Sequence, residues 1–470
     1  MKPLWTASEA AEATGGRATG DWFARGVSID SRTVATGDLF VALTGPNFDG
    51  HDFIADALAK GAAAAVASRA PANLAPDAPL LLVAETQKAL EDLGRAARRR
   101  SSATIVGVTG SVGKTGTKDA LRRTFERQGR TFASAGSLNN QWGVPLSLAR
   151  MPADTAYGIF EMGMNHAGEI AALSRQVRPD VAVITTIEPA HLGFFASVEA
   201  IADAKAEIFA GMNSRGAAVL NRDNPHYARL AAAALEAGIV RILGFGAHAE
   251  AQVRLIECHL HATASAVTAA VMGEIVDYCI AIPGRHWVMN SLAVLAAVKA
   301  AGGDVGAAAA ALGAIEPMDG RGRRHKIQVR GGTAELIDES YNASPASMRA
   351  AFDVLAANEP GNGARRIAVL GDMLELGPAS RALHAGLAAP LIDAGVDLVF
   401  TVGPEMRALF DALPKPRRGA HAATSAEMAA LLPQRLVAGD IVTVKGSLGS
   451  RMREVVARLL AGPMVSAVKG

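Results

Sequence analysis

The sequence predicts a mixed α/β protein of three domains. The expected parts are an N-terminal α/β domain, a central phosphate-loop (P-loop) ATPase-type domain with a mostly parallel sheet, and a C-terminal Rossmann-like doubly wound domain. Three observations carry this. The chain has 470 residues, too many for one hydrophobic core. Residues 103–127 read as strand, glycine turn, Lys-Thr and helix. From residue 333 onward, apolar strand-like runs alternate with helical patterns, the signature of a parallel sheet with crossover helices. The expected boundaries are 1–100, 101–315 and 316–470.

Half of the residues are hydrophobic and the formal net charge is +2. Nothing in that balance points to nucleic acid or to a membrane surface. Cys258 and Cys279 are the two cysteines. They make neither a disulfide framework nor a zinc pattern, and they fit a reducing compartment. The first residues lack the apolar stretch of a signal peptide, and no apolar run approaches the ~20 residues that span a bilayer. The expectation is a cytoplasmic protein.

The first domain opens with a helical pattern. The segment VSIDSR (27–32) then precedes a strand over 38–43, a polar loop over 45–53 and a helix near 54–60. Short strands follow at 63–67 and 80–84, then a helix over 86–100. Its last residues, Arg98, Arg99 and Arg100, are placed to complement its own dipole. Ser31, Arg32, Asn47, Asp49 and His51 gather at element ends, where binding residues tend to lie. The planar fork of Arg32 suits a phosphate. Capping and turn chemistry explains each of these residues equally well.

The second domain starts at the strand 104–108. The turn Gly110-Ser111-Val112-Gly113 follows, and then Lys114 and Thr115 open a helix. Backbone N–H groups of such a turn face a triphosphate, the lysine reaches its outer phosphates and the threonine hydroxyl can ligate Mg²⁺. The match is to the shorter GxxGK[ST] form; an ordinary glycine-rich βα turn is the alternative. SAGSLNNQWGVPLSL (134–148), with Asn139 and Asn140, is a polar turn into a helix. Strands over 157–163 and 180–187 place Glu161 and His191 at or beyond carboxyl ends, where parallel sheets bind ligands. Carboxylate is a normal Mg²⁺ ligand and imidazole a less usual one. A cap or core role for His191 stays open. Lys205, in a helix over 197–209, reads from pattern as solvent-facing. Strands follow at 217–220 and 240–245, then an antiparallel set over 251–282 turning near 272–273. The turn 283–286 leads to a helix over 288–301 with Asn290 in its first turn.

Residues 316–324, EPMDGRGRR, read as a linker. The third domain then runs strand 333–338, helix 345–357, strand 366–370, helix 381–394, strand 396–402, helices 405–412 and 426–436, strand 440–445 and a last helix. Its first strand is not followed by GxGxxG, so a dinucleotide is not indicated. Asp338, Tyr341 and Asn342 lie just past that strand.

Taken in order, these motifs resemble the Mur ligases, the ATP-dependent amide ligases of peptidoglycan precursor synthesis. The resemblance covers nearly the whole chain. It is carried by TGSVGKT (109–115), GSLNNQWGVPLSL, EMGMNHAGEI (161–170), AHLGFFASVEAIADAKAEIF (190–209), DESYNASPASM (338–348), GDMLELG (371–377) and VKGS (444–447). It implies ATP and Mg²⁺ as cofactors, a role in cell-wall biogenesis, and UDP-N-acetylmuramoyl-tripeptide with D-alanyl-D-alanine as substrates. A diamino acid added to UDP-N-acetylmuramoyl-dipeptide is the alternative. A folate-polyglutamate-like ligase, a nucleotide switch and a non-catalytic homologue are remoter readings. The resemblance assigns Lys114 and Thr115 to the phosphates and Mg²⁺, and Glu161 and His191 to the metal. It makes Lys205 a lysine carbamylated by CO₂ and places Asn139 and Asn140 by the substrate and γ-phosphate. Asn290 falls by the adenine, and Arg321, Asp338 and Tyr341 by the nucleotide. Ser31, Arg32 and the loop with Asn47, Asp49 and His51 fall at the UDP-sugar site. The expected assembly is a monomer, with no nucleic acid and no membrane insertion. Three departures stand out: Trp287 where the family usually has Asn, Ser111 for Thr, and Leu448-Gly-Ser before Arg451.

Overall fold

The computed structural model describes residues 3–72, 74–190, 192–361 and 363–462. Sheets of five, nine and six strands follow one another along the chain. None of the described helices is long and apolar enough to cross a membrane.

The first sheet runs in the order Arg17–Ala18, Leu80–Leu82, Ala64–Ala67, Asp38–Val41, Gly26–Ser28. Ala64–Ala67 is buried throughout, because alternate side chains enter different cores. Ala64 and Val66 face the helix Thr86–Arg100, and Ala65 and Ala67 face Ile54–Ala59. The first core also takes Leu146 and Ala149 from the helix Gly143–Arg150, so it continues into the second unit. The Trp5 indole N–H donates to the Ala149 carbonyl at 2.9 Å across that seam.

The basic end of Thr86–Arg100 acts on its neighbours. Arg98 donates to the carbonyls of Val177 and Arg178 at 2.9 and 3.1 Å, closing the C-terminus of the helix Glu169–Val177. Arg100 donates to the Leu4 carbonyl at 2.8 Å and stacks on Trp5 at 4.1 Å. Arg98 also donates to the carbonyl of Ser101, the C-cap of its own helix, at 3.4 Å, so the expected service to its own helix is joined by contacts to neighbouring elements.

The central sheet has the order Thr131–Ala133, Tyr157–Glu161, Thr104–Thr109, Val181–Ile184, Ala217–Asn221, Arg241–Gly246, Val253–Leu260, Ser265–Val271, Glu274–Ile280. It is parallel as far as Val253–Leu260, and its last three strands pair antiparallel. Lys114–Glu126, Arg285–Ala300 and Val305–Leu312 cover one face, and Glu169–Val177, Val198–Ala206 and Tyr227–Glu236 the other. Strand Thr104–Thr109 lies between Tyr157–Glu161 and Val181–Ile184. The carboxyl ends of three neighbouring strands therefore meet at the phosphate loop. Asn290 sits in the second turn of its helix, since that helix starts at Arg285 rather than Val288.

The third sheet has the order Arg323–Val329, Gly332–Glu339, Ile441–Lys445, Arg366–Gly371, Leu398–Val402, Arg418–Ala422. Its first strand pairs antiparallel. That strand occupies part of the expected linker. As an edge strand it buries only Ile327 and can carry the charges that made it read as a loop. The expected helix 381–394 breaks into Ser380–Ala385 and Ala388–Asp393. Pro390 has no N–H to return to Gly386.

Candidate active site

Two left-handed glycines shape the phosphate loop: φ is +144° at Gly110 and +85° at Gly113. A Cβ on Gly110 would meet the Thr185 hydroxyl at 1.9 Å. That hydroxyl donates to the Val112 carbonyl at 2.6 Å. The Ser111 N–H donates to the Thr186 carbonyl at 2.9 Å, and the Ser111 hydroxyl donates to the Glu188 carbonyl at 3.0 Å. The loop is thus clamped on residues 185–188, beyond strand Val181–Ile184. Sequence reasoning missed Thr185; its only trace was a threonine pair at a buried strand's carboxyl end. Lys114 begins the helix Lys114–Glu126, and its ammonium donates to the carbonyls of Gly110 and Ser111 at 2.7 and 3.3 Å. The Asn290 side chain lies beside Gly113, where a Cβ would come within 2.9 Å of its amide oxygen. Trp287 lies over Gly116, 2.9 Å from where a Cβ would stand. The absence of a side chain at 116 makes room for the bulk at 287.

Glu161 closes strand Tyr157–Glu161 and is 1% exposed. Its Oε1 accepts from the Asn139 amide at 2.7 Å, while Oε2 is buried without a hydrogen-bond partner. A buried, partnerless carboxylate oxygen beside a phosphate loop is what an incoming cation satisfies. The described residues contain no group of three or more His, Cys, Asp or Glu that could hold a metal. One carboxylate, a hydroxyl and substrate phosphates suit Mg²⁺, which dispenses with an all-protein cage. His191 lies outside the described residues. Asn140 turns away from this centre, its amide oxygen accepting the backbone N–H groups of Trp142 and Gly143 at 3.2 and 2.9 Å.

Lys205 is 1% exposed, which corrects the solvent-facing reading. Its helix packs on the sheet through Ile201, Ala202 and Ala204, and Lys205 follows them inward. Burial, reinforced by Lys114, holds its pKa well below that of a free lysine. Lys114 is likewise held down by burial, against the opposing pull of Glu161. Lys118, one helical turn on, is 4% exposed and donates to the carbonyls of Ser134 and Gly136 at 2.8 and 2.6 Å. The site therefore concentrates lysines around one carboxylate, a field suited to polyanions.

The third sheet reaches this centre. Arg321 donates from Nη2 to the Thr115 hydroxyl at 3.1 Å and lies over the Tyr341 ring at 4.0 Å. The Tyr341 hydroxyl is hydrogen-bonded to the Ser137 hydroxyl. Asp338 is 6% exposed, and its two oxygens accept the N–H groups of Gly320 and Ser340 at 3.0 Å each. It holds the backbone next to Arg321 and Tyr341. Lys445 donates to Glu339 and to the Asn342 carbonyl, each at 3.1 Å.

In the first unit, His51 is buried between Asp49 Oδ1 at 2.6 Å and the Ser68 N–H at 3.0 Å. Arg69 joins Asp49 at 2.7 Å. A cavity of about 370 Å³ opens here, lined by His51, Asp52, Arg69, Pro71 and Ala72. Arg32 is spent on Asp30, donating to both of its oxygens. The Ser31 carbonyl accepts from Lys60 at 2.9 Å, and Asn47 is exposed in its loop. The structure joins Asp49 to His51 and leaves Arg32 outside their cluster.

Three family descriptions match in succession: Mur ligase family, catalytic domain, over 24–100; Mur ligase middle domain over 108–298; and Mur ligase, glutamate ligase domain, over 322–448. The chain is 34% identical over 430 residues to the UDP-N-acetylmuramoyl-tripeptide–D-alanyl-D-alanine ligase of Rickettsia prowazekii, covering 92% of this chain and 94% of that one. It is 35% identical over 435 residues to the Escherichia coli enzyme of the same name, covering 92% and 93%. Its structure is similar to that of MurF from Acinetobacter baumannii, with TM-score 0.84, 30% identity and 98% and 99% coverage. A Thermotoga maritima MurF ligase solved in complex with ADP superposes with TM-score 0.75 at 27% identity, covering 93% of this chain and 97% of that one.

Proposed function

The chain belongs to the Mur ligase family, and on that premise we propose that it joins D-alanyl-D-alanine to UDP-N-acetylmuramoyl-tripeptide at the expense of ATP. One observation carries the reaction class. The Lys114 ammonium in the loop mouth, the partnerless Glu161 Oε2 and the Arg321–Thr115 contact meet at the carboxyl ends of the central strands. The substrate pair follows relatives of that name at 34% and 35% identity over more than nine-tenths of the chain. A ligase adding a diamino acid to the dipeptide precursor is the reading this displaces.

A carboxylate and an ammonium do not condense in water. The carboxylate attacks the γ-phosphorus of ATP, ADP leaves, and an acyl phosphate forms. The free amine then attacks the acyl carbon, and phosphate departs with the carboxylate's oxygen as the amine proton is lost. Positioning and charge compensation dominate such phosphoryl transfer. Lys114 and the loop N–H groups serve the phosphates, and Arg321 enters from the third sheet. Glu161 and Thr115 would hold Mg²⁺, with Lys205 once carbamylated and with His191. Bound Mg²⁺ neutralises phosphate charge. Lys205 fits carbamylation because burial favours its neutral amine, the form that attacks CO₂. Asn139 orients Glu161 and Asn290 flanks the loop. Tyr341 lies against Arg321, and Asp338 braces both. The Asp49–His51 cluster and its cavity are the proposed UDP-sugar end, to which the family resemblance adds Ser31, Arg32 and Asn47.

The proposed domains are 1–100 for the UDP-sugar, 101–315 for ATP, and 316–470 for the amine and part of the nucleotide. We place the enzyme in the cytoplasm as a monomer, which light scattering tests. The substrate test is phosphate release with each acceptor and amine pair. Release and a product of ligated mass with tripeptide and D-alanyl-D-alanine support the reading. Release with dipeptide and a diamino acid alone replaces it.

A further inference from the structure

Lys118 is a buried cation to which the proposed mechanism gives no task. Lys118 is 4% exposed and stands four residues after Lys114 on the helix Lys114–Glu126. A buried ammonium must be partnered. Its partners are neutral carbonyls, those of Ser134 and Gly136 at 2.8 and 2.6 Å. Residues 134–140 have no regular secondary structure, yet they deliver three contacts to the site. The Ser134 hydroxyl accepts the Glu161 N–H at 3.4 Å. The Ser137 hydroxyl meets the Tyr341 hydroxyl of the third sheet. The Asn139 amide donates to Glu161 Oε1 at 2.7 Å.

We propose that Lys118 is a positioning residue that ties segment 134–140 to the phosphate-loop helix, so that Asn139 and Ser137 arrive together at Glu161 and Tyr341. A charged donor bonding two carbonyls of an irregular segment makes a stronger tether than a neutral one. Burial lowers its pKa from that of a free lysine, against the opposing pull of Glu161 and Asp119, so the tether lies within the electrostatic field of the site. Both lysines donate to two backbone carbonyls, but those of Lys114 belong to the phosphate loop, at Gly110 and Ser111, and those of Lys118 belong to the segment 134–140.

The kinetic readout rests on the ligase reading, whereas the exchange readout stands without it. Lys118→Met is made alone and in an Asn139→Ala background. The single variant is expected to keep ADP affinity within about threefold and to lose about 10- to 100-fold in kcat, the scale of a displaced catalytic group. In the Asn139→Ala background the same change is expected to cost at least about threefold less than in the wild-type background, since part of the effect of Lys118 runs through Asn139 and the rest through Ser137. Hydrogen exchange of residues 134–140 rises in the single variant. An unchanged kcat, a full loss repeated in the Asn139→Ala background, or unchanged exchange each overturns the proposal. If Lys118→Met does not fold, Lys118→Arg keeps a two-carbonyl donor and is expected to bind ADP and recover most of kcat. Loss of ADP binding in the arginine variant too would make Lys118 part of the nucleotide site or of the fold, against the proposal. A wild-type enzyme that ligates nothing would sink the ligase reading and leave the exchange test standing.

Discussion

Arg321 donates to the Thr115 hydroxyl at 3.1 Å, a bond between the start of the third sheet's unit and the first turn of the phosphate-loop helix. The same guanidinium covers Tyr341 at 4.0 Å. One side chain therefore ties the phosphate-loop helix to the third unit, the one proposed to bring the amine. Arg321→Ala is expected to lower kcat by about 10²–10³, the usual cost of losing a donor aimed at transition-state charge. Arg321→Lys is expected to recover little, because a point charge keeps neither the fork nor the stack. Steady-state phosphate release checks both, and a lysine variant near wild type would remove the geometric argument.

Glu161→Gln replaces one carboxylate oxygen by an amide donor. The expected result is a folded protein with at least about 100-fold lower turnover and a weakened dependence on Mg²⁺, read by titrating the metal at fixed ATP. Turnover and Mg²⁺ dependence equal to wild type would show that the partnerless Oε2 serves no cation.

Lys205 gives a prediction with a sign. Burial lowers its folded pKa well below the reference 10.5. Between those two values the unfolded chain binds more protons than the folded one, so stability rises with pH through that window. Below the folded value the cost of the buried charge is complete. Lys205→Met removes this dependence. Its melting temperature in CO₂-free buffer is expected to exceed that of wild type most at the lower end of the window, and turnover is expected to be lost. A scan of melting temperature against pH tests the first, and bicarbonate rescue of CO₂-depleted wild type tests the carbamate.

Gly116 and Trp287 form a size-matched pair, with 2.9 Å between a would-be Cβ and the indole. Gly116→Thr overpacks this contact and is expected to cost about 1–3 kcal/mol. Adding Trp287→Asn should relieve part of the loss, a coupling measurable in a double-mutant cycle by chemical denaturation. Strict additivity would deny the pairing.

The parts legible in the sequence were those written locally. Helix Thr86–Arg100 was readable end to end, because Glu85 caps the N–H groups of Gln87 and Lys88 and its apolar residues keep helical spacing. The phosphate loop was readable because its glycines and Lys-Thr are contiguous. What escaped depends on distant partners. Nothing near Lys205 in sequence says that its helix turns it inward, and Thr185 owes its role to a loop more than 70 residues earlier. The first two residues of strand Arg323–Val329 were hidden in the expected linker 316–324, since an edge strand tolerates charge. Arg32 looked free for phosphate because its binding to Asp30, two residues back, is a choice of side-chain geometry rather than of residue type.

Amide ligation at this site requires a carboxylate activated by phosphate. The most direct test supplies UDP-N-acetylmuramoyl-tripeptide labelled with ¹⁸O in its terminal carboxylate, together with ATP, Mg²⁺ and D-alanyl-D-alanine, and weighs the released phosphate. One labelled oxygen per phosphate, appearing in step with amide product, is the predicted result. Unlabelled phosphate would mean that water takes the γ-phosphoryl group, and the assignment of this site to amide ligation would fall.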